Sequence, residues 1–166
     1  MKNVPTKLSA AGTIIKAGLL AGTLDILSAI LYYYCKTGKN GFNVLNYVAS
    51  GVFGKEAISG GNSMAIAGLL FHYFIAFCWT LFFFFIYPSI HSLLKNKIVA
   101  GIIYGVFIWI IMNLVVVPMT AIPKRPFIIS GAIINMVILI LAVGLPISLV
   151  IGNYYSKLNK INEGVH

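Results

Sequence analysis

Four polar side chains, Asp25, His72, Asn113 and Asn135, interrupt stretches of sequence that are otherwise apolar. A carboxyl group at the centre of a membrane helix costs about 2.5 to 3.5 kcal/mol on insertion scales, so Asp25 needs a partner or a function. Imidazole gains and loses a proton near neutral pH, and His72 is the best candidate for that partner. Such a pair could bind a polar ligand or exchange protons. These four residues are our candidate intramembrane polar cluster.

The same residues also allow a purely structural interpretation. A neutral, protonated Asp25 could form a hydrogen bond with His72 and fix the register of two helices. Asn113 and Asn135 belong to a residue type that often forms hydrogen bonds between membrane helices. The sequence therefore leaves a ligand site and a packing device open as alternatives.

Catalytic and metal chemistry find little support in the sequence. The chain has three acidic residues and three histidines, and it lacks the motifs of zinc proteases, dithiol enzymes, serine hydrolases and phosphate loops. A haem held by two histidines would need a second intramembrane histidine besides His72. We therefore expect no catalytic residues, no metal, no cofactor and no enzymatic activity. Cys35 and Cys78 are expected at different depths, too far apart for a disulfide.

The composition indicates which class of protein positions these residues. Of the 166 residues, 60% are hydrophobic and 9% are charged, and the mean hydropathy is +0.95, whereas about 25% of the residues in a soluble domain are charged. The net charge is +9, and the basic residues lie singly or in pairs at the edges of apolar segments. That distribution argues against a nucleic-acid partner and suits contact with lipid headgroups. The expected partner is the lipid bilayer.

Apolar stretches long enough to cross a membrane occur at residues 13–34, 64–87, 98–118 and 127–151. They predict one integral membrane domain over residues 1–166, an all-α polytopic bundle of four transmembrane helices.

The connections between the spans are unequal in length. The first, residues 35–63, contains an apolar stripe at helical spacing, which predicts a short amphipathic interfacial helix. The stripe consists of Leu45, Val48, Ala49, Val52 and Phe53. About ten residues around Pro88 and His91 are expected to join the second and third spans, because proline stops helices.

Charge predicts the orientation of the bundle. With four spans, seven basic residues lie on the side of both termini and five on the other side. The positive-inside rule then predicts a multi-pass protein of the cell membrane with both termini in the cytoplasm. The first span is too long for a signal peptide, carries an acid and lacks a small-x-small cleavage site, which predicts an uncleaved helix.

Small residues form a stripe on each predicted span, as is typical of closely packed membrane helices. Gly18 and Gly22, and likewise Gly101 and Gly105, have the spacing that could also support a homo-oligomer. In each span the polar residue lies on the glycine side. A rise of about 1.5 Å per residue puts all four polar residues roughly 8 to 13 Å from the side of the long connection. The polar cluster is thus predicted to form one layer inside the bundle.

Several segments together resemble an uncharacterised family of small four-helix bacterial inner-membrane proteins. The resemblance covers nearly the whole chain and is carried by residues 21–25 (AGTLD), 49–54 (ASGVFG), 68–72 (GLLFH), 112–118 (MNLVVVP) and 144–147 (GLPI). It implies a complete single-domain protein of the bacterial cytoplasmic membrane, and it implies no catalytic residues.

These observations predict a protein that binds a proton or small polar solute, or allows it to permeate, through the polar cluster. The alternative is a structural or accessory subunit, or a lipid-interacting protein, without transport activity. A further protein partner is left open.

Overall fold

The computed structural model describes residues 9–122 and 128–163, apart from the side chains of residues 92 and 93. Throughout this part of the chain the regular secondary structure is helical, with no strand. Some of the charges that contribute to the predicted topology lie outside the described residues: Lys2, Lys7, Lys124 and Arg125.

Among the described residues, four helices are long and apolar enough to cross a membrane. They are α1 (Ala10–Thr37), α3 (Gly61–Leu93), α4 (Lys97–Met119) and α5 (Ile129–Glu163). A shorter helix, α2 (Asn43–Phe53), lies in the long connection between α1 and α3. The predicted all-α four-span fold is confirmed, and by the length and composition of these helices the chain is a multi-pass membrane protein.

Local signals explain where the helices begin and end. The Ser9 side chain accepts a hydrogen bond from the Gly12 amide and caps the start of α1, and the Asn96 side chain caps α4 in the same way. Gly38 ends α1 with a φ of 65°, a left-handed conformation that glycine adopts without a steric cost.

The amphipathic helix α2 packs directly on α3. A Cβ atom at Gly68 of α3 would overlap the backbone carbonyl of Leu45, so only glycine permits this approach. The Gly51 carbonyl of α2 accepts a hydrogen bond from the Ala121 amide at 3.1 Å, which ties α2 to the chain leaving α4. Phe53, at the end of α2, remains about half exposed. α2 therefore covers the long-connection end of the bundle and keeps an apolar side outward.

The prediction of a ten-residue connection around Pro88 and His91 was wrong. The helix α3 continues through both residues and ends at Leu93. A proline cannot donate a hydrogen bond to the carbonyl four residues earlier, which here belongs to Phe84. The Tyr155 hydroxyl of α5 donates to that carbonyl at 3.0 Å instead. A contact between distant parts of the chain thus replaces the hydrogen bond that Pro88 cannot make.

Two of the spanning helices contain a wide, π-type turn. These turns are Met112–Val116 in α4 and Ile140–Gly144 in α5. Each ends two residues before a proline, Pro118 or Pro146. A proline ring clashes with the carbonyl four residues earlier in a regular α-helix, and a locally widened turn relieves that clash. α5 therefore passes Pro146 and continues as a helix to Glu163.

The predicted glycine stripes make contacts within the chain. Gly18 and Gly22 of α1 face aromatic rings of α3, and a Cβ atom at Gly22 would lie 2.9 Å from the Tyr73 ring. Gly101 and Gly105 of α4 face the backbone of α5 around its π-type turn. All four glycines are buried. The homo-oligomer stays a prediction, and these glycines already serve the packing of a single chain.

The half of the bundle in which α1 begins and α5 ends is closely packed, and we call it the closed half. Phe83 and Ile147 have no exposed surface, and Tyr87 and Ile108 are each 1% exposed. The buried side chains that define the closed half are Ala17, Ala21, Phe83, Phe84, Tyr87, Tyr104, Ile108, Ala142, Val143, Ile147 and Ile151. The opposite half is different, because it contains a cavity.

Candidate functional site

A cavity of about 380 Å³ lies between the four spanning helices and α2. The four residues of the predicted polar cluster, Asp25, His72, Asn113 and Asn135, all line it. Each comes from a different helix, so the fold brings together residues that are far apart in the sequence. The four residues therefore border one space, although Asn135 is exposed, and both their common depth and their role as a ligand site stay predictions.

Helical periodicity explains how one helix contributes a whole wall of the cavity. On α3, the residues His72, Ile75, Ala76 and Trp79 line it, at spacings of three and four residues that keep them on one face. Trp79 lies two turns beyond His72, which is about 10 Å along the helix axis. The cavity therefore extends from the polar layer toward the closed half.

His72 binds the backbone of α1. Its Nε2 atom lies 2.8 Å from the carbonyl oxygen of Gly22. A carbonyl oxygen only accepts, so Nε2 carries the proton, and in the neutral ring Nδ1 is left as an acceptor. Asp25 lines the same cavity as His72, and the pairing of the two side chains stays a prediction. The N–H group of the ring, however, is used to join α3 to α1.

Asn113 lies in the π-type turn of α4. Its side-chain Nδ2 donates a hydrogen bond to the carbonyl oxygen of Trp109 at 2.9 Å, within the same helix. That bond orients the amide group, and the Oδ1 oxygen is left as an acceptor. Wide turns of this type are frequent at functional sites, because they turn a side chain away from its regular position.

The cavity ends at an apolar floor on the side of the closed half. Trp79, Ile108, Leu139 and Val143 form this floor. Directly beneath it, the Tyr104 hydroxyl donates to the carbonyl oxygen of Trp79 at 2.6 Å and joins α4 to α3. Since the closed half continues below, the cavity is a pocket and not a pore through the bundle.

Residues of α2 line the opposite end of the cavity. Val44, Tyr47, Val48 and Gly51 line it at spacings of three and four residues. The sequence analysis did not select Tyr47 or Trp79 as site residues. Their positions follow from helical spacing once one neighbour on the face is known: Trp79 is seven residues from His72, and Tyr47 is three from Val44.

A second, smaller pocket of about 140 Å³ lies at the other end of the molecule. It is lined by Tyr87 and His91 of α3 and by Tyr155 of α5, among others. His91 is half buried, with its ring 5.6 Å from the ring of Tyr87. The closed half separates this pocket from the cavity.

Metal ligands do not cluster in the part of the chain that the structure describes: it contains no group of three or more His, Cys, Asp or Glu residues that could hold an ion. Cys35 and Cys78 are free thiols, as predicted, and both are exposed.

Comparison of the chain with protein-family models, curated proteins and solved structures finds no match. The resemblance to small bacterial inner-membrane proteins stays a prediction, and the function has to be argued from the cavity.

Two substitutions of His72 test how much its hydrogen bond to α1 contributes to stability. We expect His72→Leu to lower the free energy of unfolding by about 0.5 to 1.5 kcal/mol, because the bond to Gly22 is lost. His72→Gln can place an amide N–H near the position of Nε2 and should keep most of that stability. Thermal unfolding in detergent measures both changes. Equal stability of the Leu variant and wild type would contradict the assigned bond.

Proposed function

We propose that this protein binds a proton or a small polar solute in the cavity, with Asp25 and His72 at the centre of the site. The observation that carries the proposal is that one polar residue from each spanning helix lines the same cavity. Movement of a solute across the membrane would require the closed half to open, because its side chains fill the path.

The open space supports a ligand site over a packing device. Polar side chains that only hold helices together pack against one another, since protein interiors leave few voids larger than a water molecule. Here the polar layer borders about 380 Å³ of space, which lies in the range of about 300 to 1,000 Å³ typical of small-molecule sites. Mostly apolar walls with a few convergent polar groups are also typical of such sites.

The alternative role is that of a structural or accessory subunit, or of a lipid-interacting protein. The bond from His72 to the α1 backbone favours it, because this bond stabilises the bundle whether or not a ligand binds. In that role Asp25→Asn would change only stability, and a partner protein would co-purify.

A membrane location and orientation belong to the same proposal. We place the protein in a bacterial cytoplasmic membrane with both termini in the cytoplasm, on the basis of the charge count and the sequence resemblance. The cavity would then lie in the outer half of the membrane.

Flux measurements in proteoliposomes test the proposed function. Wild type and Asp25→Asn are reconstituted at equal amounts of folded protein, and the flux of protons and of small ions is followed. We expect flux from wild type and only background flux from the variant, because Asn cannot carry the charge or the proton of Asp25. Absence of flux from both proteins would contradict permeation and favour the accessory role.

A further inference from the structure

We propose that the cavity takes a small amphiphilic ammonium ion, with the protonated amine in the polar layer and an apolar body on the floor formed by Trp79. This inference rests on the proposed function, because it names the class of solute for the same site. The charge of the lining, the direction of its hydrogen bonds and the chemistry of its walls each support it.

The charge of the lining favours a cation. Asp25 is the acidic residue of the lining, and among the described residues no lysine or arginine lines the cavity. His72 uses its Nε2 proton for the Gly22 carbonyl, which the neutral ring can do without a second proton. An anionic solute would therefore meet a carboxyl group with no fixed cation to offset it.

The direction of the hydrogen bonds favours a solute that donates. Two donors of the polar layer already bind the protein: His72 Nε2 binds the Gly22 carbonyl, and Asn113 Nδ2 binds the Trp109 carbonyl. The Asp25 carboxyl group and the Asn113 Oδ1 oxygen are left as acceptors for a solute, and the Asn135 amide, which also lines the cavity, can accept or donate. An ammonium group offers up to three N–H donors and a positive charge, so it matches this set.

The walls favour an organic cation over a metal ion. A hydrated metal ion requires several oxygen ligands, whereas the floor presents the side chains of Trp79, Ile108, Leu139 and Val143. These groups suit an apolar body, and an indole face also attracts a nearby cation. The distance of about 10 Å along α3 from His72 to Trp79 matches a solute with one polar and one apolar end.

Binding of three matched probes tests the proposal. The probes are 2-phenylethylammonium, its neutral analogue 2-phenylethanol and the anion phenylacetate, which have the same ring and nearly the same length. The full chain is placed in nanodiscs of uncharged phosphatidylcholine, and binding is measured by calorimetry against empty nanodiscs. The Trp109→Phe variant leaves Trp79 as the single tryptophan of the chain, so its fluorescence reports whether the ring reaches the floor.

We expect the ammonium ion to bind wild type at least about tenfold more tightly than the alcohol, because a charge-assisted hydrogen bond is stronger than a neutral one. Phenylacetate should bind more weakly than either. Asp25→Asn should reduce the preference for the ammonium ion to within about twofold of the alcohol. If Asp25→Asn does not fold, the comparison of the three probes on wild type still tests the proposal.

Equal binding of the ammonium ion and the alcohol to wild type would overturn the assigned solute class. If the probes fail to bind while flux still depends on Asp25, the inference falls and the proposed function stands. If there is neither probe binding nor Asp25-dependent flux, both fail.

Discussion

Gly144→Ala should destabilise the protein by about 3 kcal/mol, the upper end of the range for overpacked cores. A Cβ atom at Gly144 would overlap the carbonyl oxygen of Gly101 and lie 2.8 Å from the amide nitrogen of Gly105. Both neighbours are backbone atoms, so no side chain can rotate away, and α4 must separate from α5. We expect the midpoint of thermal unfolding in detergent to fall by roughly 6 to 12 °C.

Gly131→Ala is the matched control, because it makes the same substitution in the same helix. The atoms nearest to a Cβ at Gly131 lie 3.9 Å away, which is ordinary contact. The control should therefore change stability by less than about 0.5 kcal/mol. A similar loss in both variants would show that alanine itself, and not the close approach of α4 and α5, causes the effect.

Ala29→Phe should strongly weaken solute binding and leave the protein at least as stable as wild type. Ala29 lines the cavity one helical turn after Asp25, so a phenyl ring at this position would occupy the solute's space. Filling a cavity commonly adds about 0.5 to 2 kcal/mol of stability. The binding of 2-phenylethylammonium should fall at least about tenfold, while the melting midpoint stays constant or rises.

Leu27→Phe is the control for this variant. Leu27 belongs to the same helix and is 56% exposed, so a larger side chain there would point away from the cavity. Binding should match that of wild type. Unchanged binding in Ala29→Phe would place the solute outside the cavity and contradict the assigned site.

The sequence predicted the fold well where length and periodicity decide the outcome. Long apolar stretches predicted the four spanning helices, and the apolar stripe predicted the helix α2. The buried side of α2 differs from that stripe, because it includes Asn46 and Ser50 and leaves Val52 and Phe53 exposed. A regular rise per residue converts sequence position into depth, and on that basis the four polar residues were expected near one another; all four line one cavity. These predictions need no knowledge of which helices are neighbours.

Features that depend on distant contacts were not predictable in this way. The helix around Pro88 continues because Tyr155, far along the chain, donates to the carbonyl of Phe84. Depth along an axis likewise does not reveal which polar group meets which partner. His72 was predicted as the partner of Asp25, and the contact of its N–H group with the Gly22 carbonyl was not predicted. The space between helices, which makes the polar layer a cavity, has no signature in a single sequence.

The π-type turns also determine which way the side chains after the turn point, relative to the side chains before it. A turn that holds one additional residue rotates everything beyond it by about 100° compared with an unbroken α-helix. In α5 the turn at Ile140–Gly144 lies between Asn135, which lines the cavity, and Ile151, which is fully buried in the closed half. The additional residue therefore allows Asn135 to face the cavity while Ile151 faces the closed half. In a helix of regular pitch, these two side chains could not both have these orientations.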